Sequence, residues 1–228
     1  MGASIESRQG VGRVVDRKRE PVKPLLRIED YIASFRERFP SLDPTMEPWR
    51  LTADLARFIE QLIVSLDPSH FRNSAGVFVH KEAIIEPGAT IKPPAIISAS
   101  CFVAATAYIR GGVFLDRGVT IGPGCELKST IIFDSSTLAH LNFVGDSIVG
   151  SDVNLEAGVV VANHFNERRE QEITLHVGGQ SIRTGVVKFG ALIGDHSRVG
   201  ANAVLSPGTV LAPKTVVARL TLVEQGAP

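Results

Sequence analysis

One spacing organises the hydrophobic positions from residue 77 onward. An aliphatic residue stands at every sixth position through Val79, Ile85, Ile91, Ile97, Val103, Ile109, Leu115, Ile121 and Leu127. The series resumes after a phase shift at Phe143, Val149, Leu155 and Val161, and after a longer interruption at Ile193, Val199, Leu205, Leu211 and Val217. A period of six fits neither an amphipathic helix nor simple strand alternation. It is the repeat of a parallel β-helix, in which three hexapeptides close one triangular coil and the anchors stack inward, coil upon coil. Small residues follow many anchors, among them Gly122, Gly150, Gly194 and Gly200. They suit corners where a Cβ would crowd the chain.

The period is helical before residue 77. Ile28, Tyr31, Ile32, Phe35 and Phe39 share one face over 26–39, and Pro40 stops that helix. Leu51, Leu55, Phe58, Ile59, Leu62, Ile63 and Leu66 repeat the pattern over 48–66, with Pro48 at the first turn and Asp67-Pro68 closing it. The interruption at about 164–188 begins polar (Asn166, Glu167, Arg168, Arg169, Glu170) and then reads as a hairpin, 173–177 and 181–187 around Gly178-Gly179. A long insertion in a strict repeat serves as a functional arm or lid, or as an arm that stabilises an oligomer. The expected organisation is a flexible basic arm over 1–23, two amphipathic helices over 24–75, the β-helix over 76–220, and a tail over 221–228.

Composition narrows the function. Lys plus Arg and Asp plus Glu are both 24, so the net charge is zero and a basic nucleic-acid footprint is absent. The apolar runs, such as 158–162, are too short to span a bilayer, and no basic-then-apolar leader opens the chain. Cys101 and Cys125 lie among repeat residues and read as small buried hydrophobes in a reducing cytoplasm. The six histidines form no close metal-ligand pair, so no metal is expected.

Arg110 and Lys128 are 18 residues apart, one full coil, and each follows an inward anchor. They are expected to stack about 5 Å apart at the backbone. They read either as two solvated charges or as the two sides of a phosphate site. His140 reads either as a structural histidine or as a neutral base able to take a proton from an attacking amine.

A resemblance bears on that choice. Over about 108–169 the sequence resembles the acetyltransferase half of the bifunctional glucosamine-1-phosphate acetyltransferase / N-acetylglucosamine-1-phosphate uridyltransferase family. Arg110-Gly111-Gly112 matches its Arg-x-Gly segment, Glu126-Leu127-Lys128 its Glu-Met-Lys, and Ala139-His140-Leu141-Asn142-Phe143-Val144-Gly145-Asp146 its Gly-His-Leu-Thr-Tyr-Leu-Gly-Asp. Val153-Asn154-Leu155-Glu156-Ala157-Gly158 follows its Val-Asn-Ile-Gly-Ala-Gly, all without gaps. The resemblance implies a left-handed β-helix and a homotrimer with sites at subunit boundaries. It implies that Arg110 and Lys128 bind a sugar phosphate and that His140 is the general base. Asn154, Asn163 and Arg169 would hold substrate. Ala157 and Ala201 would border acetyl-CoA, the co-substrate, along the coils of 190–217.

The sequence departs from the family at Phe143 and His164, where the motif has tyrosines, and at Ala201, where it has a serine. No nucleotide-binding loop stands in 1–75. Three readings stay open: an acyl-CoA-dependent N-acyltransferase on an amino-sugar phosphate or nucleotide sugar, an acyl-carrier-protein-dependent acyltransferase, and a non-catalytic trimeric sugar-phosphate sensor or scaffold.

Overall fold

The computed structural model describes residues 26–224; the arm expected over 1–23 and the end of the expected tail lie outside them. The chain is mainly β, a solenoid of about eight turns with three short α-helices. Its coils present three faces. The first runs through Ile84–Ile85, Phe102–Val103, Thr120–Ile121, Thr137–Leu138, Asn154–Leu155, Arg198–Val199 and Val216–Val217, all parallel. The second and third faces belong to one sheet, because three strands turn the corner between them: Tyr108–Leu115, Glu126–Ile132 and Phe143–Val149. The last rung, Leu222–Val223, pairs with Val204–Leu205 beyond residue 220, where the periodicity was expected to stop.

The inward column is aliphatic throughout: Ile109, Leu115, Ile121, Leu127, Ile132, Leu138, Val144, Val149, Leu155, Val161, Ile193, Val199 and Leu205 all lie in one buried cluster. Each such side chain contributes about 1.5–3 kcal/mol by leaving water. The column corrects one expected anchor. Val144 points inward, while Phe143 is only half-buried on the outside. The phase shift has a definite location. Ile109 to Leu115 is six residues, but Leu127 to Ile132 and Val144 to Val149 are five. Two successive coils are therefore one residue short at the corner between the second and third faces. Gly111 and Gly112 span that corner in the longer coil, and the single residues Ser129 (φ 49°) and Asp146 (φ 46°) span it in the shorter ones.

The glycines after the anchors stand where a Cβ would crowd the chain, as expected, and what crowds them is the next coil. They sit where the next coil comes closest: a Cβ on Gly122 would lie 1.6 Å from the Ala139 carbonyl oxygen, and one on Gly194 2.5 Å from the Pro213 nitrogen.

The first expected helix is shorter than its pattern, a 3-10 turn at Ile28–Asp30 followed by α1, Phe35–Arg38. The second is broken at Asp54 into α2, Pro48–Ala53, and α3, Leu55–Val64. Their apolar faces cover the third face of the solenoid. Phe35, Phe39, Trp49, Leu55 and Ile59 share a buried cluster with Ile96, Phe114, Ile131 and Ile148, the outward side chains of that face. The expected hairpin forms as Thr174–Val177 and Gln180–Arg183, and Ile173 and Leu175 join the same cluster beside Leu192 and Val210. Two polar anchors fix the helical cap. Asp195 accepts from the Ala33 and Ser151 N–H groups at 2.9 and 2.8 Å and donates its own N–H to Tyr31. Arg38 reaches the buried Asp116 at 2.8 Å, although burial pushes that carboxyl above its ordinary pKa.

Two expectations follow. A Cβ on Gly112 would lie 2.7 Å from the Ala56 nitrogen of α3, at φ 88°, so Gly112→Val is expected to lower the unfolding free energy by about 2 kcal/mol in urea titrations. An unchanged midpoint would show that the cap does not rest on this strand. Both thiols are buried, and burial pushes Cys101 up to about 11 and Cys125 in the same direction. Neither is expected to react with a disulfide reagent at pH 8 until the protein is unfolded.

Candidate functional site

Arg110 and Lys128 are register partners on adjacent strands, as their spacing predicts, and Gly145 is the next residue in that row. Neither cation is unpaired. Arg110 donates from Nε and Nη2 to one Glu126 carboxylate oxygen, at 3.0 and 2.6 Å, with both side chains more than a third exposed. The Lys128 Nζ lies 2.8 Å from both oxygens of Asp146. Asp146 is nearly buried, with 6% of its side chain exposed, and its carboxylate also accepts from the Asn163 amide. A Cβ on Gly145 would meet Asn163 at 2.7 Å and the Phe143 ring at 2.9 Å, so Phe143 and Asn163 close over the row. Tyr108 lies between two cations, with Arg110 and Lys92 each 5.9 Å from its ring centroid.

The insertion opens at this node. Asn163 accepts at its carbonyl from the Phe189 N–H, at 2.9 Å, where the chain returns from the insertion. Arg169 is exposed on the insertion, and no contact joins it to Asp146 or Lys128 among the described residues.

The remaining candidates lie elsewhere on the surface. His140 is exposed at the corner between the first and second faces, so it stands across the second face from Lys128; among the described residues its side chain makes no hydrogen bond. Asn154 is exposed on the first face, in register with Thr137 and Arg198. Ala157 and Ala201 stack at the corner of successive coils: the Asn202 N–H bonds the Ala157 carbonyl at 2.9 Å, and the Ala201 N–H bonds Glu156 at 2.8 Å. Beside them runs a groove of about 540 Å³ lined by Asn154, Glu156, Arg198, Gly200, Val216 and Arg219. Arg219 grips Glu156 through Nε and Nη2 and holds its carboxyl down to about 2. A second recess of about 310 Å³ lies between the helical cap and the third face, around Phe39, Leu62 and Phe114, and contains none of the candidates.

A sequence model of the GMPPB C-terminal domain matches residues 74–165 and 96–218. The chain belongs to the GMPPB C-terminal domain family. The family therefore covers the solenoid, while the helical cap lies outside the match. A bifunctional sugar-1-phosphate nucleotidylyltransferase/acetyltransferase of Sulfurisphaera tokodaii is 42% identical over 89 residues, 39% of this chain and 21% of that protein. The bifunctional protein GlmU of Methanococcus vannielii is 38% identical over 89 residues, covering 39% and 20%. That of Picosynechococcus is 34% identical over 85 residues, covering 37% and 15%. The likeness expected from the motifs is thus found, and each match spans about a fifth or less of the relative's length.

Four residues of the node escaped the sequence reading: Glu126, Asp146, Lys92 and Tyr108. Glu126 and Asp146 stand in the motifs, but nothing in the spacing shows that a carboxylate of the next coil folds onto each cation. Lys92 was legible, since it lies 18 residues before Arg110.

The two ion pairs should differ sharply in worth. Asp146→Ala strands a mostly covered Lys128 and the Asn163 amide, and is expected to destabilise the fold by about 3 kcal/mol. Glu126→Gln removes an exposed pair and should cost about 1 kcal/mol or less. Equal urea midpoints for the two variants would contradict the burial difference.

Proposed function

We propose that the chain is an acyl-CoA-dependent N-acyltransferase, with acetyl-CoA as donor and an amino-sugar phosphate or nucleotide sugar as acceptor. The observation that carries the reading is the row Lys92, Arg110, Lys128. Three cations stand on successive rungs of one face, and the last of them is held in place by the buried Asp146 and Asn163. A phosphate would bind between Arg110 and Lys128 and compete with the exposed Glu126 for the guanidinium. The similarity to enzymes named as sugar-1-phosphate nucleotidylyltransferase/acetyltransferases supports a sugar phosphate as the ligand.

In this reading His140 takes the first proton from the acceptor amine. Asn154 and Asn163 hold the sugar, and Arg169 reaches it from the insertion. Acetyl-CoA lies in the groove beside Ala157 and Ala201, where Arg198 and Arg219 supply charge for its phosphates. His140 and Asn154 lie on or beside the first face, away from Lys128, so the reading also requires a neighbouring subunit. A homotrimer that brings the first face of one protomer against the second face of the next would complete the site, and would cover Ile84, Leu141, Val216, Leu220 and Leu222, all more than half exposed. Among the described residues, no helix is long and apolar enough to cross a membrane, and no cluster of three or more His, Cys, Asp or Glu is placed to hold a metal.

The test is thiol release from acetyl-CoA in the presence of glucosamine-1-phosphate and a panel of amino-sugar phosphates. Wild type should turn over and His140→Ala should lose turnover. Arg110→Ala and Lys128→Ala should each raise the acceptor KM by about 10- to 100-fold, the worth of a hydrogen bond to a charged group. Binding of a sugar phosphate without any thiol release would sink the transferase and leave a sensor.

A further inference from the structure

The exposed imidazole of His164 stands where the resembled motif has a tyrosine, and it lies at the end of an ordered chain of hydrogen bonds. Its Nδ1 is 3.2 Å from the Asn163 Oδ1. The other end of that amide, Nδ2, donates to Asp146, whose carboxylate grips Lys128 with both oxygens at 2.8 Å.

Each link dictates the next. Asp146 accepts from the Lys128 ammonium on both of its oxygens, so it faces the amide as an acceptor. The amide must therefore turn its NH2 toward Asp146, which leaves its oxygen facing the ring. Facing that oxygen, Nδ1 makes a hydrogen bond only in a ring that carries hydrogen there. In the neutral ring the lone pair is then on Nε2, directed away from the relay. A base oriented by a second group, itself held by a third, is the arrangement that acyl-transfer sites use, including those with an asparagine as the orienting group. Among the described residues His140 has no such support.

Acyl transfer to an amine has work for two bases. An amino group with a pKa near 8 arrives largely as an ammonium at neutral pH. It must lose one proton to become a nucleophile and a second as the C–N bond forms. We propose that His164, fixed as the Nδ1–H tautomer by Asn163 and Asp146, is the second proton acceptor of the site. This rests on the acyl-transfer reading above, in which the first proton goes to His140 and on to solvent. As the amine nitrogen bonds the thioester carbonyl carbon, Nε2 takes its second proton. The tetrahedral intermediate collapses, the C–S bond breaks, and the imidazolium returns that proton to the departing thiolate. The products are an amide and a free thiol.

Two measurements decide it. In the wild-type protein, nitrogen-15 NMR of the neutral His164 ring should show hydrogen on Nδ1, the opposite of the tautomer free histidine prefers. His164→Ala should lower kcat by about 100-fold or more with little change in acceptor KM. His164→Tyr should not restore it, because a phenol of pKa about 10 is a poor proton acceptor at neutral pH. The side chain is exposed, so an unchanged thermal midpoint should confirm that these variants fold. An active wild type whose His164→Ala variant keeps kcat within threefold, or a ring with hydrogen on Nε2, overturns the proton role alone. A wild type inert toward every amino-sugar phosphate, with acetyl-CoA present, overturns the acyl-transfer reading and the proton role with it.

Discussion

Each inward side chain has to land on the one in the coil below, and this stacking constraint governs everything else in the molecule. A solenoid cannot drop a residue without moving all later anchors off the column, unless the loss is absorbed at a corner. This chain absorbs it twice, at Ser129 and Asp146, which accept the left-handed backbone region at a cost of order 1 kcal/mol each. The column continues undisturbed through Ile132, Val144, Val149 and Val161. What the shortened corners change is the outside. They place Asp146 directly after the row of Arg110, Lys128 and Gly145, where its carboxylate meets Lys128.

The three faces are used unequally. The third carries outward Ile96, Phe114, Ile131, Ile148, Leu192 and Val210, and it is covered from one end by the helical cap and from the other by the hairpin of the insertion. Burying that apolar surface is what gives short helices their stability, since helices of four to ten residues have little of their own. Covering the third face leaves the other two for ligands and neighbours, and every candidate residue lies on these faces, at their edges, or on the insertion.

The charges of the node are arranged in a gradient. Lys128 is fully matched by a nearly buried carboxylate, Arg110 is matched by an exposed one, and Lys92 stacks on Tyr108 with no ion pair among the described residues. A fixed pair such as Lys128–Asp146 holds shape, and a loose pair such as Arg110–Glu126 can exchange its carboxylate for a phosphate.

The period of six determined the solenoid by itself, because one inward residue per short strand is a local pattern that survives in any context. The coil length likewise determined that Arg110 and Lys128 are neighbours, since 18 residues return the chain to the same face. The hairpin was legible from its paired strands and its Gly178-Gly179 turn. The tertiary structure decided the rest. Phe143 falls on the period of six that runs through Val149, and only the five-residue corner turns Val144 inward in its place. The helices read longer than they are, since their apolar spacing records which residues pack on the third face and not where the backbone hydrogen bonds stop. The partners of the two cations, and the amide that donates to Asp146, come from residues 16 to 18 positions away brought together by coil stacking and by the neck of the insertion. Side-chain reach across a corner depends on local backbone geometry, which a repeat pattern does not encode.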